Sequence, residues 1–150
     1  MANRTRVGGF TLIELIVTLL VIGLAAAVVG PSIGRTTESL RARAEVAGFS
    51  AFLRRAREQA VVSGRERTVT VDPDARLLTE QAGDQVRAQR TFSQQLIIQA
   101  DPPEAVTVRF SPFGSSTGGS FRLSMAAGGA YRITIDPLTG RVVNRRDASR

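Results

Sequence analysis

The chain has 150 residues and a net charge of +7, and all of its basic residues are arginines. It has neither cysteine nor histidine, which excludes zinc sites of the usual kinds, cysteine nucleophiles and Ser-His-Asp chemistry. The length suits one domain with a short extra element, and neither a cofactor nor a metal is expected. The arginine bias reads first as codon usage in a GC-rich genome, and the sharper alternative is selection for bidentate phosphate or carboxylate contacts.

Residues 1–9 are short, polar and carry Arg4 and Arg6. From Phe10 to Ile33 the chain is almost wholly apolar, and a bilayer span needs roughly 20 such residues. The basic flank belongs on the cytoplasmic side by the positive-inside rule, which sends the rest of the chain across the membrane. A secretory signal peptide has a shorter apolar core than this, although Ala25–Ala27 imitates its small-residue cleavage site. A plain signal anchor fits the length better, but neither reading explains Glu14.

Glu14 lies inside the apolar run. A charge at membrane depth costs about 2.5–3.5 kcal/mol on insertion scales and normally has a partner. One reading is a boundary residue that reaches the headgroups. The other needs a nearby cation, and cleavage after Gly9 makes one, the new α-amino group of Phe10. Positions four apart share a helix face, so the pair can form within one subunit or between packed subunits. Pro31, near the end of the run, removes a helical hydrogen bond and clashes with the carbonyl of Ala27. It marks either a helix end or a kink, and the kink is preferred because helical periodicity resumes directly afterwards.

Gly8-Gly9-Phe10-Thr11-Leu12-Ile13-Glu14-Leu15, followed by the apolar run, resembles the prepilin cleavage motif of type IV pilins and type II secretion pseudopilins. The resemblance implies cutting between Gly9 and Phe10 by a prepilin peptidase and N-methylation of Phe10. It implies that Glu14 recruits the subunit into a filament by neutralising a neighbour's N-terminal amine. It also implies that Pro31 kinks one long helix.

After Gly34 the helical period continues. Leu40, Ala44, Ala47 and Ala51 form one stripe, and Phe49, Phe52, Leu53, Ala56 and Ala60 follow at spacings of three and four. The arginines at 54, 55 and 57 read as a solvated face, with subunit contacts as the sharper alternative, and Ser63-Gly64 as the stop. The helix is therefore expected from about Phe10 to about Val62. Beyond Gly64 the period changes to two. Thr68–Val71 and Arg76–Thr79 flank a turn at Asp72–Ala75, and further short strands are expected at 96–98, 106–110, 121–125, 131–135 and 141–144. The fold class is α+β: a long N-terminal helix, transmembrane in its first half and amphipathic in its second, packed on antiparallel β-strands. The parts are a leader (1–9), a transmembrane helix (10–33), its amphipathic continuation (34–63) and a periplasmic β-rich head domain (64–150).

Val108-Arg109-Phe110-Ser111-Pro112-Phe113-Gly114 with Phe121-Arg122-Leu123, and Ile133–Ile135 leading to Thr139-Gly140-Arg141-Val142, are similar to the pattern of GspH/FimT-type minor pseudopilins. The Gly/Ser-rich stretch 115–119 lacks the lysine and following helix of a phosphate loop, and reads as a flexible hairpin tip.

Three classes of function follow. The first is a minor subunit of a type II secretion pseudopilus in the bacterial inner membrane, assembling with other pseudopilins or pilins to help export folded proteins. The second is a minor type IV pilin that binds DNA for uptake through its basic C-terminal tail. Related minor pilins bind through Gly-Arg-x-Arg. Gly140 and Arg141 match, Val143 replaces the second arginine, and Arg145 and Arg146 follow. The third, an anchored enzyme, has no paired-acid or nucleophile motif to support it, and the chain is expected not to be an enzyme.

Overall fold

A computed structural model describes residues 11–125 and 129–147, the side chains of 28–38 excepted. One helix, α1 (Leu12–Ser63), precedes eight strands: β1 (Arg67–Asp72), β2 (Leu77–Ala82), β3 (Gln85–Thr91), β4 (Leu96–Ala100), β5 (Thr107–Phe110), β6 (Gly119–Met125), β7 (Gly129–Ile135) and β8 (Val142–Asp147). The helical backbone continues through Pro31, so that residue is not a helix end. The kink expected there falls on side chains outside the described ones. Residues 1–37 and 38–150 form two compact units.

In the second unit the strands make two antiparallel sheets of four, in the orders β3-β2-β1-β5 and β4-β6-β7-β8. β1 to β3 are a meander. The chain then crosses to the second sheet for β4, returns to pair β5 with β1, and crosses again into the meander β6 to β8. The fold is α+β, as expected. β3 was not foreseen, because Gln85–Thr91 is a nearly all-exposed edge strand with one large apolar residue, Val86. The 115–119 stretch is a crossover between the sheets and not a hairpin tip. It is also tied down, for Ser116 donates its amide to Pro137 O at 2.9 Å, and the Ser111 and Ser115 hydroxyls meet at 2.8 Å.

Alternation delivers one face of each strand to a single core. Val69 and Val71 of β1, Leu78 of β2, Val108 and Phe110 of β5, Phe121 and Leu123 of β6, and Ile133 and Ile135 of β7 are all buried with Phe49, Leu53, Ala56 and Ala60 of α1. Each fully buried large side chain is worth about 1.5–3 kcal/mol. Phe49 is central, with ring centroids 5.6 Å from Phe92 and 5.5 Å from Phe121. The stripe Leu40, Ala44, Ala47 and Ala51, expected to be covered, faces solvent instead. Ala42 and Val46 lie on the buried side, because they extend the row of Phe49 and Leu53, whose bulk decides which face is inward.

Several polar contacts tie the helix to the β-rich part of the head, and two of them run through arginines that the core or a turn encloses. Arg67, on the inward face of β1, pairs with inward-facing Glu80 of β2 at 3.6 Å, and donates to Ser63 Oγ at the helix end at 3.4 Å. Both side chains are about nine-tenths buried or more, at 10% and 4% exposed. Arg57 was expected to be solvated, yet its Nε donates to Gly114 O at 3.1 Å and to Thr139 O at 2.9 Å. Gly114 and Gly140 both have positive φ, 86° and 61°. A Cβ on Gly140 would stand 2.9 Å from Arg57 Nε and closer still to the Gly114 carbonyl.

Candidate functional site

The helix begins two residues later than the sequence suggested, at Leu12. Thr11 is its N-cap. Its Oγ1 accepts the Glu14 N–H at 3.3 Å, and its carbonyl accepts the Glu14 and Leu15 N–H groups at 3.1 and 3.2 Å. The signal was present, since Thr-x-x-Glu is capping-box spacing, but the sequence reading passed over Thr11. Glu14 thereby sits in the first turn, where the helix dipole favours a negative charge. Its backbone is committed to the cap, while its carboxylate has no ion-pair or hydrogen-bond partner among the described residues. Around it Leu12, Ile13, Leu15, Ile16, Val17, Leu19 and Leu20 are all at least half exposed.

Gly9 and Phe10, the expected cleavage and methylation positions, lie outside the described residues. Among the described residues no helix is long and apolar enough to cross a membrane. The apolar stretch 10–33 is described with its side chains only over 11–27.

The C-terminal arginines are held on a strand. Arg145 and Arg146 belong to β8, and Arg141 precedes it in the β7–β8 turn. Alternation sends Arg145 and Arg146 to opposite faces of the sheet, while Arg141 and Arg145 line a common hollow. Arg145 stands opposite Arg132, which stands opposite Arg122. Two carboxylates temper this arginine row: Asp147 lies 3.3 Å from Arg122 and 3.7 Å from Arg132, and Asp101 2.9 Å from Arg132. The turn before β8 is organised by Asp136. Its Oδ1 accepts the amides of Thr139 at 2.8 Å and Leu138 at 3.1 Å and the Thr139 hydroxyl at 2.9 Å. These bonds, those from Thr139 above all, hold its carboxyl below the ordinary carboxylate range.

The geometry is that of a capped helix with an isolated acid in its first turn and a head whose last strand is arginine-rich. The sequence profile described as type II transport protein GspH matches residues 45–139, and the profile described as prokaryotic N-terminal methylation motif matches residues 4–30. Among solved structures, the type IV minor pilin FimU of Pseudomonas aeruginosa is similar with a TM-score of 0.61 at 18% identity, over 76% of this chain and 95% of FimU. The minor pseudopilin EpsH from the type 2 secretion system of Vibrio cholerae is similar with a TM-score of 0.59 at 18% identity, over 73% of this chain and 99% of EpsH. At that identity the two structures speak for the fold. No curated protein sequence matches the chain.

Proposed function

Because this chain belongs to the type II transport protein GspH family, we propose that it is a minor pseudopilin of a type II secretion pseudopilus. It is anchored in the bacterial inner membrane by its N-terminal helix, with the head in the periplasm, and helps export folded proteins. The observation that carries the reading is the methylation motif at 4–30, which runs into a capped helix whose first turn holds Glu14. Prepilin peptidase cuts after Gly9. The methylated amine of Phe10 on a neighbouring subunit then meets the Glu14 carboxylate, an ion pair strengthened by the low dielectric of the bilayer. Gly23 and Ala25–Ala27 let helices approach closely. The role needs no catalysis.

Mass spectrometry of the mature chain is expected to find an N-methylated Phe10 at the N-terminus; any other start overturns the cleavage reading. Glu14→Ala is expected to leave the chain membrane-inserted and abolish its co-purification with other pseudopilins. Unchanged co-purification removes Glu14 from assembly.

A second reading, a minor type IV pilin, is supported by the likeness to FimU. Deleting the gene separates the two: lost export with intact pili supports the secretion role, and lost pili with intact export supports the pilus role. DNA binding through Arg141, Arg145 and Arg146 belongs to this second reading. Its test is a gel shift of the triple alanine variant, in which unchanged DNA affinity eliminates it.

A further inference from the structure

β8 is an edge strand, and among the described residues no strand pairs with its outer side. The Asp136 N–H donates to Arg141 O at 3.0 Å, so Arg141 directs its carbonyl toward β7. By the period of two, Val143 and Arg145 do the same, while Val142, Asn144 and Arg146 direct their backbone groups outward. Consistent with this, the partner that the outer edge finds among the described residues is Arg54, whose guanidinium donates to Val142 O at 3.3 Å.

The side chains on that register add to the edge. Val142, Asn144 and Arg146 stand opposite Ile135, Ile133 and Tyr131 and share their face, the face that α1 covers. Yet Asn144 and Arg146 are exposed, so α1 and β8 diverge and leave a groove between them. It is hollowed into a cavity of 620 Å³ beside Arg54, Arg57 and Arg141 and a smaller one of 160 Å³ beside Arg43 and Arg146. Glu58 is the acid in the lining.

We infer that this groove docks an extended acidic segment of a second protein, which adds to β8 as a fifth strand. An open edge recognises a chain that offers amides and carbonyls in alternation, and the flanking arginines select carboxylates on it. A nucleic acid has the charge but cannot continue the ladder. A second copy of this chain offers an equally basic β8, and like charges facing each other across a strand pair are destabilising. Strand addition also satisfies an edge that is otherwise a liability.

The test uses the full chain in detergent micelles and a fluorescein-labelled peptide of alternating Glu and Val, about eight residues long, enough to span β8. Binding is read by anisotropy and by amide exchange at Val142, Asn144 and Arg146. The peptide is expected to bind and to slow exchange at those amides. The same peptide N-methylated at alternate backbone positions is expected to bind about tenfold or more weakly, as strand addition requires. Arg54→Glu with Arg146→Glu is expected to lose about tenfold in affinity while keeping the far-ultraviolet circular dichroism of the parent. Equal binding of the N-methylated peptide, or of single-stranded DNA of matched charge, overturns strand addition in favour of charge alone. Protection of the same amides in the free chain assigns the edge to the chain itself or to a second copy, and equally overturns the proposal. The N-methylated peptide acts on the unmodified protein, so the outcome does not depend on the variant folding.

Discussion

The two ends of α1 are both rich in apolar residues and meet opposite fates. From Leu12 to Leu24 nearly every large side chain is apolar and exposed, Leu12 at 77%. From Val46 to Ala60 the apolar positions are fewer, and those on one face are buried with two β-sheets. The contrast shows that apolar content alone does not make a core. The second stretch has three arginines and a glutamate on its other faces, which orient it. The first stretch is apolar all round, the pattern of a helix whose surroundings are themselves apolar.

The comparison is most sharply tested by truncation at matched positions. Phe49→Ala is expected to cost the head about 3–5 kcal/mol, measured by urea denaturation in detergent. Leu19→Ala is expected to change the same transition by less than about 0.5 kcal/mol. Equal losses at the two positions would mean that the first stretch also belongs to the head's cooperative unit.

A somewhat smaller effect is expected from the charge pair inside the head. Glu80→Ala strands Arg67 in the interior and is expected to cost about 3 kcal/mol, whereas Arg67→Met with Glu80→Leu recovers most of it. A double variant as unstable as the single one would show that the pair contributes net stability. Gly140→Ala comes next, at about 1–3 kcal/mol, from its positive φ and the nearby Gly114 carbonyl.

The smallest effect is that of pH on the β7–β8 turn. The Asp136 carboxyl is lowered in the folded head, so its contribution is fully present above its unfolded value, about 3.9. The contribution is lost as pH falls through the lowered folded value. Amide exchange at Leu138 and Thr139 is expected to quicken across that acidic window in the parent, and to show no such step in Asp136→Asn.

What the sequence disclosed follows from where its patterns are undiluted. Val106–Phe110 and Tyr131–Ile135 alternate cleanly, and β5 and β7 lie there. Phe49, Leu53, Ala56 and Ala60 keep a helical period and are buried as expected. Leu40, Ala44, Ala47 and Ala51 keep the same period, but three of the four are alanines, so spacing alone did not tell the covered face from the bare one. β3 escaped because its residues make it an edge, held by pairing with β2 more than by burial. The site was legible at Glu14, an acid among apolar residues, while the Thr11 cap was overlooked beside it. Arg57 was hidden for a different reason. Its acceptors Gly114 and Thr139 are carbonyls more than fifty residues away, and a backbone carbonyl leaves no mark in a sequence.

That arginine also bears on mechanics. One of its acceptors lies in the crossover between the sheets, and the other in a turn of the second sheet. A tug along the second half of the helix therefore reaches the crossover and the second sheet together through a single guanidinium, as a rivet passes shear between plates. A head built this way yields late when hauled by its own stem. Arg57→Met would be expected to let the sheets part from the helix at lower force before either sheet came undone.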